Sequence, residues 1–280
     1  MNPIVGGTIA ALGWGLSTVV ASRSTRLLGA QQALAWVLMF GLVGMALFAV
    51  ADGPPSHPHP SAWVWAVVAG VGSSIGLLLM YQALRIGKVG VVAPITSTEG
   101  AIAALLSVAA LGEQLTWAEV LALAVIVTGV VIVTFHGKRG DLDLRSSLLA
   151  IGAASCFGVG LVSSSRAGAD LGPYWTITIA RIVGVALVAA PLLLRRRLPW
   201  PGRVWWMVAF SALAETIGFV TYVIASQQSI AISAVLGSQF GAVAAVGSYA
   251  IYGERLGRRQ LAGAIVIIIG VTLLALARSA

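Results

Sequence analysis

Charge is what this chain has least of. Its 280 residues include only 17 Lys and Arg and 9 Asp and Glu, 9% in all. A water-soluble chain of this length spreads roughly a quarter of its residues as charge over a solvated surface. Here 59% of residues are hydrophobic and the mean hydropathy is +0.96. A soluble globule is excluded. A soluble domain on one anchor is excluded as well, because apolar stretches run from end to end. Cysteine is nearly absent: Cys156 stands alone in an apolar stretch, so no intrachain disulfide and no cysteine metal site can form. The three histidines, His57, His59 and His136, fall in polar connections, which leaves the apolar segments without a histidine base or ligand. No Walker A sequence offers a nucleotide site. The net charge of +8 would suggest nucleic acid in a soluble protein, but no basic patch alternates with stacking aromatics. In a membrane chain the same excess reads as the bias of cytoplasmic loops toward Lys and Arg. The expectation is a polytopic membrane protein with no cofactor, no metal and no nucleic-acid partner.

A membrane-crossing helix needs about 20 mostly apolar residues. Ten segments qualify: 4–22, 31–50, 62–85, 89–111, 117–135, 147–165, 173–194, 203–226, 230–252 and 259–277. They are numbered here as spans 1 to 10. The breaks between them are short, polar or rich in Gly and Pro, such as the stretch from Asp52 to Pro60, Gly137 to Arg145 and Arg195 to Arg203. No loop is long enough for an extramembrane domain, so the function must sit within the bilayer. Lipid-facing backbone must satisfy its own hydrogen bonds, which makes the spans helical. The start at Met1-Asn2-Pro3 lacks a basic leader, so span 1 is expected to be retained. The loops after spans 1, 3, 5, 7 and 9 hold fourteen Lys and Arg, whereas the opposite side holds only Arg166 and Arg278. That split predicts odd-numbered loops in the cytoplasm and both termini outside.

The chain also repeats itself. Leu111-Gly-Glu-Gln-Leu115 returns as Tyr252-Gly-Glu-Arg-Leu256, 141 residues later, and at that offset Tyr81 matches Tyr222, Thr98 matches Gln239 and Gly100 matches Gly241. Near the start of each half, Trp14-Gly15 and Arg23 match Phe157-Gly158 and Arg166 at an offset of 143. The halves are 1–140 and 141–280. Each has five spans, and an odd number forces the second half to insert upside down. Inverted halves meeting at the midplane are the architecture of secondary transporters. The fold class expected is an all-α polytopic membrane protein: ten transmembrane helices as two inverted five-helix repeats.

Five-span halves ending in Gly-Glu-x-Leu before a small-residue-rich apolar helix resemble the EamA-type repeat of the drug/metabolite transporter superfamily. The likeness covers nearly the whole chain and is greatest to ten-helix bacterial exporters of amino acids, aromatic ones included. The resemblance implies a central cavity lined by spans 1, 3, 4, 6, 8 and 9, with spans 5 and 10 packed outside.

Three charges lie deep in spans: Glu99, Arg181 and Glu215. A charge in the bilayer costs roughly 2.5 kcal/mol or more, so each is a functional candidate. At about 1.5 Å per residue, Arg181 and Glu215 reach similar depths, about 12 and 16 Å from the outer surface, and could pair. Such a pair could neutralise itself, or Arg181 could take a substrate carboxylate in a bidentate grip. Glu99 falls about 15 Å from the cytoplasmic end, near the midplane, with no base at its depth. It could carry a proton during transport or serve as a neutral hydrogen-bond donor. None of the three is repeated: Glu99 faces Phe240, Glu215 faces Ser74, and Arg181 aligns with Leu38. The repeat does not require them.

Thr98 and Gln239 form a matched polar pair, with Thr96, Ser97 and Ser238 beside them; they could bridge helices or face a wet cavity. Tyr81 and Tyr222 could close the cavity on opposite sides. Trp14 and Phe157 could stack on an aromatic or apolar substrate. Trp63, Trp65, Trp117, Trp200, Trp205 and Trp206 read as an interfacial belt. Glu113 and Glu254 suit the N-terminus of the helix that follows each. Gly72-x-x-x-Gly76 and Gly237-x-x-x-Gly241 read as close helix contacts. Gly72-Ser-Ser-Ile-Gly76 has the letters of a hydrolase elbow, but it sits mid-helix with no base nearby. The functional expectation is a monomeric secondary exporter of small metabolites, most directly amino acids, with the proton as candidate coupling ion. The alternatives are a drug, sugar or nucleobase transporter of the same kind, and an intramembrane lipid-modifying enzyme.

Overall fold

The structure, a computed structural model, describes residues 1–111, 116–135, 143–228, 233, 236–254 and 257–279. Helix accounts for the regular structure, with no strand among the described residues. Helix α1 (Pro3–Leu28) starts where the Asn2 side chain accepts a hydrogen bond from the Ile4 N–H at 2.8 Å, with Pro3 in the first turn, where its missing N–H costs nothing. It ends at Gly29, whose φ of 94° few side chains tolerate. Then follow α2 (Ala30–Asp52), α3 (Pro60–Ile86), α4 (Val89–Thr96), α5 (Glu99–Leu111) and α6 (Trp117–Phe135). Helix α7 (Asp143–Gly184) bends at Gly172 (φ 71°), just before Pro173, and runs through a π-helical turn (Val185–Ala189) into α8 (Ala190–Leu194). The rest is α9 (Trp205–Ser226), α10 (Phe240–Tyr252) and α11 (Arg258–Ser279). Helix is found within each of the ten expected spans.

Five helical stretches are long and apolar enough to cross a membrane. The stretch Leu144–Leu194 has 51 residues. Straight, it would reach about 76 Å, more than twice a hydrocarbon core of about 30 Å, so the bend at Gly172 makes it two crossings.

Two spans expected to be continuous are each broken in the middle. Span 4 turns at Ser97 and Thr98, between α4 and α5, and span 9 turns at Ser238 and Gln239, before α10. In the first, Pro94 removes a backbone donor, and three hydroxyls around the turn bond nearby carbonyls. Thr96 Oγ1 donates to Ala93 O at 2.9 Å, Ser97 Oγ to Pro94 O at 2.8 Å and Thr98 Oγ1 to Ile95 O at 2.8 Å. The two breaks are 141 residues apart.

The halves pack reciprocally. Helix α1 lies along α9 and α3 along α7, while α4 crosses α10 and α6 lies against α11. Contacts across these seams come in exchanged pairs. A Cβ at Gly129 would lie 2.8 Å from Ile267 Cγ1, and one at Gly270 would lie 2.7 Å from Ile126 Cγ1. A Cβ at Gly100 would meet Ser238 Oγ at 2.8 Å; one at Gly241 would meet Ser97 Oγ at 2.7 Å. Every partner in these pairs is its mate's neighbour shifted by 141 residues, which is the signature of a pseudo-two-fold relation. Lipid is as apolar as leucine, so close backbone approach at small residues, not hydrophobic burial, holds such helices together.

Ends that should share a membrane face do meet. Arg26, at the end of α1, donates to Gly87 O at 2.8 Å and lies 3.7 Å from Glu254 beyond α10. Trp36, early in α2, donates to Pro199 O at 3.0 Å and meets Trp200 edge-on. At the other end of the bundle Trp175 donates to Gly53 O at 2.6 Å, and Arg166 sits 4.9 Å over the Trp65 ring. Among the described residues, Glu254 bonds to a different helix from the one that follows it. Its carboxylate accepts from Gly90 N at 3.4 Å, in the first turn of α4, and the turn before it has Gly253 at φ 63°. Glu113 lies outside the described residues.

Candidate functional site

Where the seams converge lies a pocket lined from both halves. Its wall takes Trp14, Ser17 and Thr18 from α1, Ser73, Leu77 and Met80 from α3, and Glu99 from α5. Helix α7 adds Phe157, Gly160 and Leu161, α9 adds Glu215 and Phe219, and α10 adds Phe240. Those helices are spans 1, 3, 4, 6, 8 and 9, the set that the resemblance implied. Among the described residues, helices α6 and α11 contribute nothing to the wall.

The aromatic groups are held by glycines on the facing helix. Trp14 rests against Gly218 of α9, where an added Cβ would come 2.6 Å from its ring, and against Gly237. Phe157 rests likewise on Gly76 of α3, at 2.6 Å. Phe219, Tyr222 and Phe240 surround Trp14, with ring centroids 5.2, 5.7 and 6.3 Å away. Glycine is needed at 76 and 218 because a side chain would displace the ring. The two glycine motifs singled out in the sequence therefore serve the pocket directly: Gly72 abuts Gly160, Gly237 touches Trp14, and Gly241 meets Pro94 and Ser97.

Two carboxylates reach the wall and differ in company. Glu215 lies 3.2 Å from Arg181 Nη2, and both side chains are 5% exposed. Arg181 is in turn stacked 5.7 Å from the Phe219 ring and lies beside Gly41 of α2. The expected pairing forms, and Arg181 sits behind the wall rather than on it. Glu99 makes no ion pair with any described residue. It opens α5, where the positive end of the helix dipole favours an anion. The break in span 4 thus sets a buried acid at a helix N-terminus.

The hydroxyls of the wall are committed to backbone. Ser17 donates to Ser211 O at 3.1 Å, Thr18 to Trp14 O at 2.7 Å and Ser73 to Ala69 O at 2.7 Å. Trp14 Nε1 is buried without a hydrogen-bond partner.

Of the candidates raised from sequence, Trp14, Glu99, Phe157 and Glu215 come together on the wall. Tyr222 backs Trp14 and lies within electrostatic reach of Glu99. Tyr81 is buried in the core near Glu215 and Arg181, with no place on the wall. Thr98 is spent on Ile95 O, and Gln239 Nε2 donates to Thr272 Oγ1 of α11 at 3.2 Å, so this matched pair bridges backbone and helix instead of facing the pocket. Ser238 packs on Gly100. Phe219 and Phe240 were missed as wall residues. Both had signals: Phe219 follows Glu215 by one helical turn, and Phe240 is the repeat mate of Glu99.

Comparisons with known proteins agree with this architecture. The EamA-like transporter family matches the chain twice, over residues 1–135 and 144–276. A solved crystal structure shares the fold, with a TM-score of 0.70, 20% identity, and coverage of 99% of this chain and 98% of that one. No curated protein matches the chain.

Proposed function

We propose that this chain, which belongs to the EamA-like transporter family and is a membrane transporter of the drug/metabolite superfamily, is a secondary exporter of small metabolites that carry an amino group. Aromatic and neutral amino acids are its first candidates. The observation that carries this reading is the pocket itself, assembled from both halves at their crossing and walled by aromatics and two acids. Five-span halves 1–140 and 141–280, working as one inverted pair, can rock about that pocket and open it to either side in turn. Glu99 is the acid free to exchange a proton, so a proton gradient is the natural driving force. The charge split supports both termini outside a bacterial inner membrane, and a C-terminal alkaline phosphatase fusion should then be active where a fluorescent-protein fusion is dark. A single chain holds a whole pocket, which supports a monomer.

The test is a flux screen. Purified protein in liposomes is offered labelled amino acids, amines, sugars and nucleobases, and uptake is followed against protein-free vesicles. Saturable flux of an amino-group compound supports the reading. Flux confined to sugars or nucleobases would replace the cargo, and chemical conversion without flux would replace the transporter with an enzyme.

A further inference from the structure

We infer that the pocket selects its cargo by the ammonium group and not by a carboxylate: Glu99 is the counter-ion, and Trp14, Phe157, Phe219 and Phe240 form a π-lined box for an apolar or aromatic body. The cargo class is therefore an organic cation such as an aromatic primary amine, bound in preference to the zwitterionic amino acid of the same shape. This rests on the proposed exporter and deepens it by placing the amine ahead of the amino acids named there as first candidates.

The polar inventory of the wall carries the argument. A substrate carboxylate needs donors, and the wall supplies hardly any. The protons of Ser17, Thr18 and Ser73 already go to backbone carbonyls. Arg181, the one cation at this depth, is held by Glu215 at 3.2 Å and by the Phe219 face, behind the wall. Trp14 Nε1 lies against Gly218 in the α1–α9 seam. A carboxylate entering the pocket would instead meet Glu99, whose charge Arg181 does not offset, and like charges in a water-poor site repel strongly.

An ammonium finds the opposite. Arg181 cancels Glu215, so Glu99 leaves the pocket one negative charge in surplus when it is ionised. A buried charge without a partner is costly, and a cation relieves it. The rings add to this, because the negative faces of aromatic rings attract cations, most effectively those already stripped of water. A small hydrated metal ion is poorly served by a wall of Trp, Phe, Leu and Met, whereas an organic ammonium keeps its apolar body against them. The same charges are absent from the mirror position, where Phe240 replaces Glu99, so the box has one charged end and one aromatic end.

Three compounds of one body separate the possibilities: phenethylamine, phenylalanine and 3-phenylpropanoate. Binding of tritiated phenethylamine to the purified full chain is measured by scintillation proximity, with each compound as unlabelled competitor. The unaltered protein should bind phenethylamine at least about tenfold more tightly than phenylalanine, with 3-phenylpropanoate not competing. Glu99→Gln should abolish that preference, and Phe157→Leu should weaken phenethylamine while leaving the order intact. The competitor series on the unaltered protein needs no variant to fold. Phenylalanine or 3-phenylpropanoate binding as tightly as phenethylamine would overturn the inference and leave the exporter standing. So would failure of phenethylamine to bind a protein that moves another compound in the flux screen. If no compound of that screen is moved, the exporter reading fails, and this inference fails with it.

Discussion

The two broken spans have one geometry and two chemistries. Each turns at a Ser-centred pair, Ser97-Thr98 and Ser238-Gln239, and each serine packs on the glycine of the other break. After the turn, however, α5 begins with Glu99 and α10 with Phe240. The same division runs through the deeper charges, since Glu215 and Arg181 stand where the first half has Ser74 and Leu38. What repeats is what builds: glycines, serines and the ring-on-glycine contacts of Trp14 and Phe157. What does not repeat is what gives the pocket its charge. A pseudo-symmetric frame can thus carry an asymmetric site at little cost to the frame.

The largest effect should come from separating the unrepeated pair. Glu215→Ser alone writes the first half's residue into the second and leaves Arg181 buried without its partner, at a cost of about 3–5 kcal/mol. Adding Arg181→Leu completes the imitation and should restore most of the loss in melting temperature, measured in detergent. Additive losses in the double variant would show that the two side chains are not coupled.

The frame itself is probed by matched glycines. A Cβ at Gly15 would come 2.5 Å from Val243 Cγ1, and one at Gly158 would come 2.8 Å from Ile102 Cγ2. Gly15→Ala and Gly158→Ala should each cost about 1–3 kcal/mol by overpacking, and should cost alike. A large loss at one site with none at the other would break the equivalence of the halves.

A smaller asymmetry lies at the outer helices. Helix α6 opens with a capping box: Glu119 accepts from Thr116 N at 2.7 Å, and the Glu119 N–H donates to Thr116 Oγ1 at 3.3 Å. Its mate α11 follows Gly257 instead. Thr116→Ala should cost about 1 kcal/mol, while Gly257→Thr should gain a few tenths, since glycine is only a slightly poorer cap. Equal and negligible changes in unfolding would contradict the capping role.

Much of this was legible in the residues. Apolar length located the spans, because each stretch must satisfy the bilayer by itself, and helix depth foretold the Arg181–Glu215 pair, because two charges at one depth gain by meeting. The offset of 141 was legible, and the structure shows contacts exchanged across it. The breaks at 97 and 238 were not foreseen, since hydropathy averages over a turn buried inside protein. Pro94 and the Thr96-Ser97-Thr98 run were the available signals. Which way a side chain faces was also hidden. Tyr81, Thr98 and Gln239 have the same polarity whether they line a pocket or brace a neighbouring helix, and only the packing separates the two. Glu254 reaches α4 rather than its own following helix for the same reason: a partner distant in sequence lies closer in space.

The central claim is that a single unrepeated acid, Glu99, couples the pocket to its driving force. Purified protein is reconstituted into liposomes, and accumulation of a cargo identified in the flux screen is followed with and without an imposed pH gradient, for the unaltered chain and for Glu99→Gln. The unaltered chain should concentrate cargo only when the gradient is present, and Glu99→Gln should not concentrate it under either condition. Accumulation by Glu99→Gln against the cargo gradient, driven by the same pH step, would contradict the account.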